Sequence, residues 1–371
     1  MANPFKPTAG AEPPHLIGRE DALELFEEGL EDGAGAPGLL SLISGPRGIG
    51  KTALLHRAES VALEHGWAPI SDTATPGLLE RLKRGVEAQL EELGKGTAKW
   101  RVTAVRAAAF GITREMAAPE HVDLRGRMTE LTTILREHGT GLLITVDEIH
   151  SVDRAELVQL SATVQHLIRE GLPIAFVGAG IPQAVSSLLS DKVATFLRRA
   201  DPIVLDSVSL DAVKESLRDT FRASGIRISD ERLDAAVQAT GGYPFLVQLV
   251  GYHVWRLSKD SGVTDYSLAR GIEAARKRLG SMVLDTALAD LSDVDRTFLV
   301  KMAIDDGPSY TSRIAERMGE GIKYAGVYRR RLIDAGIIRA AGRGKIEFTL
   351  PYLAEHLRNH AVQLHNPSLD A

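Results

Sequence analysis

The sequence predicts an α/β fold: a parallel sheet with helices on both faces, then a helical lid, then a small helix-turn-helix domain ending in a hairpin. Three observations carry this. Short apolar runs near residues 39–43, 67–70, 141–146, 173–177 and 202–205 alternate with helical periods, which is the order of a parallel sheet. From Ser209 onward only amphipathic helical periods remain. Near the end, two alternating segments flank Gly342-Arg343-Gly344, a hairpin signal.

Taken in order, residues 1–15 are rich in Pro, Gly and Ala and read as an extended arm or a disordered tail. Residues 16–207 are the sheet domain, opened by a helix at Ala22–Leu30. Helices are expected at Ala53–Ala62, Pro76–Leu93, Val122–His138, Asp153–Glu170 and Val185–Arg199. Trp100–Arg114 has no clean period and is expected as an extended insert. Residues 208–290 are the lid, with helices at Leu210–Ala223, Ser229–Ala239 and Phe245–Ser258, and one long helix at Tyr266–Leu288. Residues 291–371 hold three helices, a two-stranded wing and a closing helix after Pro351, the pattern of a winged helix-turn-helix.

Composition narrows the function classes. The chain has 371 residues, 44% hydrophobic and 25% charged, proportions of a soluble globular protein. It has no cysteine, so disulfides and Cys-based zinc sites are excluded. No apolar run reaches the length of a membrane span, and the expected location is the cytoplasm. The net charge of −5 argues against a chain that is basic throughout.

The decisive stretch is Ser44 to Thr52. It reads G-x-x-x-x-G-K-T between an apolar run and a helical one, the context a phosphate-binding loop requires. Gly45, Gly48 and Gly50, with Pro46, Arg47 and Ile49 among them in the loop, let backbone N–H groups close around phosphate oxygens. The helix that continues through Ala53 points its positive end at the same anion. Lys51 supplies a point charge for the terminal phosphates, and the Thr52 hydroxyl is a Mg²⁺ ligand.

Gly141 to Glu148 is an apolar run ending in two carboxylates. Ligands of open α/β sheets gather at the carboxyl ends of the strands. Asp147 is then placed to hold Mg²⁺, and Glu148 to orient and deprotonate a water. His150 lies nearby and reads as a surface histidine.

Together these residues resemble the AAA+ P-loop ATPases, in the archaeal-type, origin-recognition-like branch that borders the STAND switch ATPases. The resemblance rests on Ile17-Gly18-Arg19-Glu20, the phosphate loop, Asp147-Glu148, Gly242-Tyr243-Pro244 and the C-terminal winged helix. It implies ATP or ADP with Mg²⁺ as ligands and ATP hydrolysis as activity. It also implies an adenine pocket lined by Ile17, Gly18 and Arg19, with Tyr243 and Pro244 near the base. An arginine finger would be Arg198 or Arg199, acting in trans within a homo-oligomer. The sequence departs from the family where a polar sensor is usual: the slot after the fourth strand reads Gly178-Ala179-Gly180, and the lid has no matching arginine. Slow hydrolysis and a nucleotide-dependent switch, hinged at Gly241-Gly242, are the expectation.

Residues 311–345 carry nine Lys and Arg against three acids. In a helix-turn-helix the third helix enters the major groove. Lys323, Tyr324, Tyr328, Arg329 and Arg331 can share its exposed side, and Arg343 and Lys345 of the wing can meet phosphates. Duplex DNA is one expected partner. The alternative is a STAND-like scaffold whose winged helix docks a protein.

Overall fold

The computed structural model describes residues 2–8, 10, 13–94, 123–151, 153–190, 195–258 and 262–364. The insert expected at Trp100–Arg114 lies outside the described residues. The chain divides into a sheet unit, residues 19–44 and 51–204, and a helical unit, residues 1–18, 45–50 and 205–371.

The sheet unit runs α1 (Glu20–Asp32), β1 (Leu40–Ser44), α2 (Lys51–Glu64), β2 (Ala68–Thr73), α3 (Leu78–Gly94), α4 (Leu124–Glu137), β3 (Leu142–Asp147), α5 (Arg154–Arg169), β4 (Ile174–Gly180), α6 (Pro182–Ser190) and β5 (Asp201–Val204). All described strand pairs are parallel, in the order β2-β3-β4-β1-β5. Leu142, Leu143, Ile144 and Val146 of β3 are fully buried, which is why their run shows no alternation. Asp123 and Asp153 cap the helices that follow them by accepting from Gly126 N and Ala155 N, as short acceptor side chains do. β4 runs past the expected Val177 because Gly178, Ala179 and Gly180 pair with Leu42, Ile43 and Ser44. The slot expected for a polar sensor is therefore strand interior.

One expected helix, Val185–Arg199, is not continuous. α6 ends at Ser190, and Thr195–Arg199 is a separate 3₁₀ turn. Arg198 Nε donates to Leu189 O at 2.6 Å, whereas nine residues of helix would hold the two about 13 Å apart along the axis.

The helical unit runs α7 (Leu210–Ala223), α8 (Asp230–Thr240), α9 (Pro244–Leu257), α10 (Asp265–Leu279), a π turn (Gly280–Leu284), α11 (Asp285–Ala289), α12 (Asp293–Met302), β6 (Ser309–Tyr310), α13 (Thr311–Met318), α14 (Ile322–Asp334), β7 (Ile338–Ala340), β8 (Lys345–Phe348) and α15 (Leu353–Leu364). Ser209, Ser229, Thr264 and Ser292 each cap the next helix, the last two in reciprocal capping boxes. The long helix expected at Tyr266–Leu288 runs on through the π turn, which winds one extra residue into it. The wing has a third strand, since β6 pairs with β8 on the edge away from β7. A two-residue strand carries too little alternation to be read from sequence.

The arm is docked between residues 3 and 6. Phe5 is 2% exposed and packs on Phe221 at a ring separation of 5.5 Å. Asn3 Nδ2 donates to Tyr252 O at 3.1 Å, and Lys6 N donates to Gln248 Oε1 at 3.0 Å. Gly251 makes the room: a Cβ there would lie 2.3 Å from the Phe5 ring. Among the described residues, no helix is long and apolar enough to cross a membrane.

Candidate functional site

Within the sheet unit, chemistry gathers where β3 ends. Lys51 opens α2 and is 5% exposed. Thr52, next in the helix, donates its hydroxyl to Asp147 Oδ2 at 2.6 Å. Asp147 Oδ1 accepts from Glu148 N at 2.8 Å. Glu148 itself sits at φ +53°, left-handed backbone that costs a non-glycine residue on the order of 1 kcal/mol. Two bonds hold that turn: Ile149 N to Ala179 O at 2.9 Å and Ser151 N to Glu148 O at 2.8 Å. The Glu148 carboxylate faces His150 Nδ1 at 3.2 Å.

Behind this edge, Thr145 of β3 donates to Glu59 Oε1 of α2 at 2.5 Å. Burial pushes the Glu59 carboxyl up, opposed by the Thr145 hydrogen bond and by His56, and reinforced by Asp147. Glu59 ties α2, which carries Lys51 and Thr52, to the strand that carries Asp147. The sequence gives no spacing signal for it.

Within the helical unit, residues 45–50 form the glycine loop, with Gly48 at φ +70° and Gly50 at φ +99°. Side chains rarely tolerate that backbone. Space is also lacking at Gly48, where a Cβ would lie 2.2 Å from the Tyr243 hydroxyl oxygen. Tyr243 is 1% exposed and donates its hydroxyl to Arg47 O. Burial pushes the phenol well above its ordinary range, so it remains a donor. The Arg47 side chain pairs with Asp290 at 2.7 Å. Gly18, Val208 and Gly242 also meet. Val208 N donates to Gly242 O at 2.8 Å, and a Cβ at Gly18 would lie 3.2 Å from Val208 Cγ1.

Gly50 and Lys51 are consecutive, so the loop opens directly into the N-terminus of α2. The N–H groups of the helix start and the positive end of the helix dipole suit an anion there. A family model for an AAA ATPase domain matches residues 15–177. The chain carries an AAA ATPase domain and is an ATP-binding ATPase. A second model, a domain of unknown function (DUF8462), matches residues 281–357. No curated protein matches the chain in sequence.

Solved structures share the fold. The Walker-type ATPase PABY2304 of Pyrococcus abyssi is 16% identical, with a TM-score of 0.68, over 92% of this chain and 96% of that one. The ORC2 protein of Aeropyrum pernix, solved in ADPNP–ADP complexes, is 15% identical, with a TM-score of 0.66, over 98% of each chain. Cdc6p from Pyrobaculum aerophilum is 13% identical, with a TM-score of 0.52, over 98% of each chain.

The AAA ATPase domain brings Lys51, Thr52, Asp147 and Glu148 to one strand edge. Tyr243, expected near the base, donates its hydroxyl to Arg47 O of the loop. Pro244 is the first residue of α9, where its missing N–H costs nothing. Arg19 precedes α1 at its N-cap position.

In the basic stretch beyond the domain, several side chains already have protein partners. Arg331 Nη2 donates to Asp295 Oδ2 at 2.9 Å, and Asp295 is 1% exposed. The Arg329 Nε is fully buried, because position 329 falls between the buried Ala325 and Leu332 of α14. Arg317 and Arg313 pair with Asp305, and Arg339 pairs with Asp206 and Glu347. Tyr324 and Tyr328 stack at 4.9 Å. Lys345 Nζ lies 5.0 Å over the Tyr310 ring.

Proposed function

We propose that the chain is a nucleotide-driven switch, in which loop 45–52 holds ATP with Mg²⁺ and the C-terminal region, arranged as a winged helix, engages duplex DNA. The observation that carries the nucleotide reading is the 2.6 Å contact of Thr52 Oγ1 with Asp147 Oδ2. Two hard oxygens meet there, one of them on the residue that follows the buried Lys51, a donor set that fits Mg²⁺. Among the described residues no cluster of three or more His, Cys, Asp or Glu could hold a metal. Mg²⁺ held by Thr52 and Asp147 would offset negative charge on the phosphates.

The chain's own residues supply the rest. Gly45 to Gly50 present N–H groups, Lys51 meets the terminal phosphates, and Glu148 orients the attacking water. Ile17, Gly18, Arg19 and Pro244 are assigned to the adenine side. Arg199 is the better finger candidate, since Arg198 is bound back to Leu189 O. It would act on the nucleotide of a second copy.

The DNA reading rests on Lys323, Tyr324, Tyr328, Arg343 and Lys345. A second reading, protein docking, is favoured by exposed apolar residues on the same helix: Ile322 at 61% and Val327 at 57%. ATP turnover across a protein-concentration series, with and without duplex DNA, separates the readings. DNA stimulation supports the switch on DNA. Turnover unmoved by DNA, with no binding at low salt, removes it in favour of docking. Lys51→Ala should abolish tight nucleotide binding; retained affinity would overturn the loop assignment.

A further inference from the structure

A cavity of about 340 Å³ lies in the helical unit between the π turn and α15. Two departures from regular backbone flank it. The first is the π turn, in which Asp285 N–H donates to Gly280 O, five residues back. One extra residue is thereby wound into what would otherwise be a single helix, and such turns gather at functional sites. The second is Tyr352, a non-glycine residue at φ +62°. Its conformation is held from both ends of the side chain. The hydroxyl donates to Ala239 O at 2.7 Å, and the Arg276 guanidinium lies 4.2 Å over the ring. Strain kept in place by surrounding contacts is a pointer to function.

The lining is rich in donors. Arg276 and Lys277 come from the last turn of α10, and His356, Asn359 and His360 from one face of α15. The two imidazoles stack at 4.4 Å. Of the two lining carboxylates, Asp285 is already engaged by His356 Nε2 at 2.8 Å. Glu355 is the other. No group of three or more His, Cys, Asp or Glu here could hold a metal ion.

We infer that this cavity is a second ligand site, distinct from the nucleotide loop, for a small molecule bearing a phosphate or carboxylate group. The volume suits a small metabolite. Its oxyanion is received by Arg276 and Lys277, as charge-assisted hydrogen bonds require, while His356 is held by Asp285 and His360 by the His356 carbonyl. The site bridges α10, the π turn and α15, so its occupancy fixes the C-terminal helix against the lid.

The test uses the full-length protein saturated with ADP and Mg²⁺, so that the phosphate loop is filled. Inorganic phosphate, pyrophosphate and citrate are titrated by calorimetry. Saturable binding of at least one probe is expected. Arg276→Gln/Lys277→Gln should weaken it about tenfold or more while leaving ADP affinity unchanged. Lys277→Gln alone, at an exposed position, tests the site should the double variant fail to fold, with a severalfold loss expected. No binding of any probe up to tens of millimolar overturns the site. So does binding that both variants retain.

Discussion

Two regions of this chain depend on basic residues, and they use them differently. In the phosphate loop a single ammonium, Lys51, is buried, next in the chain to the Thr52 that bonds Asp147, with its role set by a fixed spacing. In residues 311–345 the positive charges are numerous, but several are already bound. Arg331 serves Asp295, Arg317 serves Asp305, and Arg339 serves Asp206 and Glu347. A motif translates into geometry because its residues are neighbours in the chain. A charge tally does not, because the partners that neutralise it come from 36 and 133 residues away. The lesson is that a basic patch must be counted after its own carboxylates are subtracted.

The largest expected effect lies on the side of the fixed spacing. Glu148→Gln should keep ATP binding and lower turnover by about 10²–10⁴-fold, the usual share of a positioned base. Equal turnover in the variant and the parent would remove Glu148 from the chemistry. On the other side, Arg331→Ala and Lys323→Ala should part company. Arg331→Ala removes the cationic partner of a buried carboxylate that Ser292 still holds, and should cost about 1–3 kcal/mol in urea denaturation. Lys323→Ala should leave stability alone and weaken duplex binding, with a flatter salt dependence. If both variants behave alike, the distinction between bound and available charge fails.

Tyr243→Phe probes a hydrogen bond that links lid and loop within the helical unit. Loss of the bond to Arg47 O should cost about 1 kcal/mol, or roughly fivefold in nucleotide affinity. Unchanged affinity by fluorescence titration would make Tyr243 a packing residue only. The smallest effect concerns Asp305. The Arg317 hydrogen bond holds its carboxyl at about 2, against burial and helped by Ser309 and Arg313. A carboxyl depressed in the folded state stabilises above its ordinary titration range and loses that stability as pH falls toward the folded value. Arg317→Met should therefore be less stable by about 1 kcal/mol at neutral pH, with the gap closing toward pH 2. A gap independent of pH would assign the loss to packing.

Much of the sheet unit was legible. Apolar runs without alternation mark β1, β3 and β4, and the loop motif fixes where the chain turns back to α2. Three features were hidden for separate reasons. The π turn at Gly280–Leu284 follows one wound-in residue, which leaves the helical period of its flanks intact. The 3₁₀ turn at Thr195–Arg199 follows a bond from Arg198 to Leu189 that periodicity does not encode. Glu59 and Tyr243 act through burial, and neither sits in a spacing that sequence reasoning recognises. In α14, a face drawn from charge alone placed Arg329 wholly outside, whereas its place on the row of Ala325 and Leu332 leaves it half-buried with its Nε covered.

The docked arm sets an order on biosynthesis. Phe5 closes on Phe221 and Gly251, and Asn3 on a carbonyl 249 residues further along. At about 5–20 residues translated per second, the arm leaves the ribosome roughly 10–50 s before its socket does. For that interval Phe5 is an apolar plug with nowhere to sit, the kind of side chain chaperones hold. Its burial then marks the moment when α7 and α9 have both been made and folded.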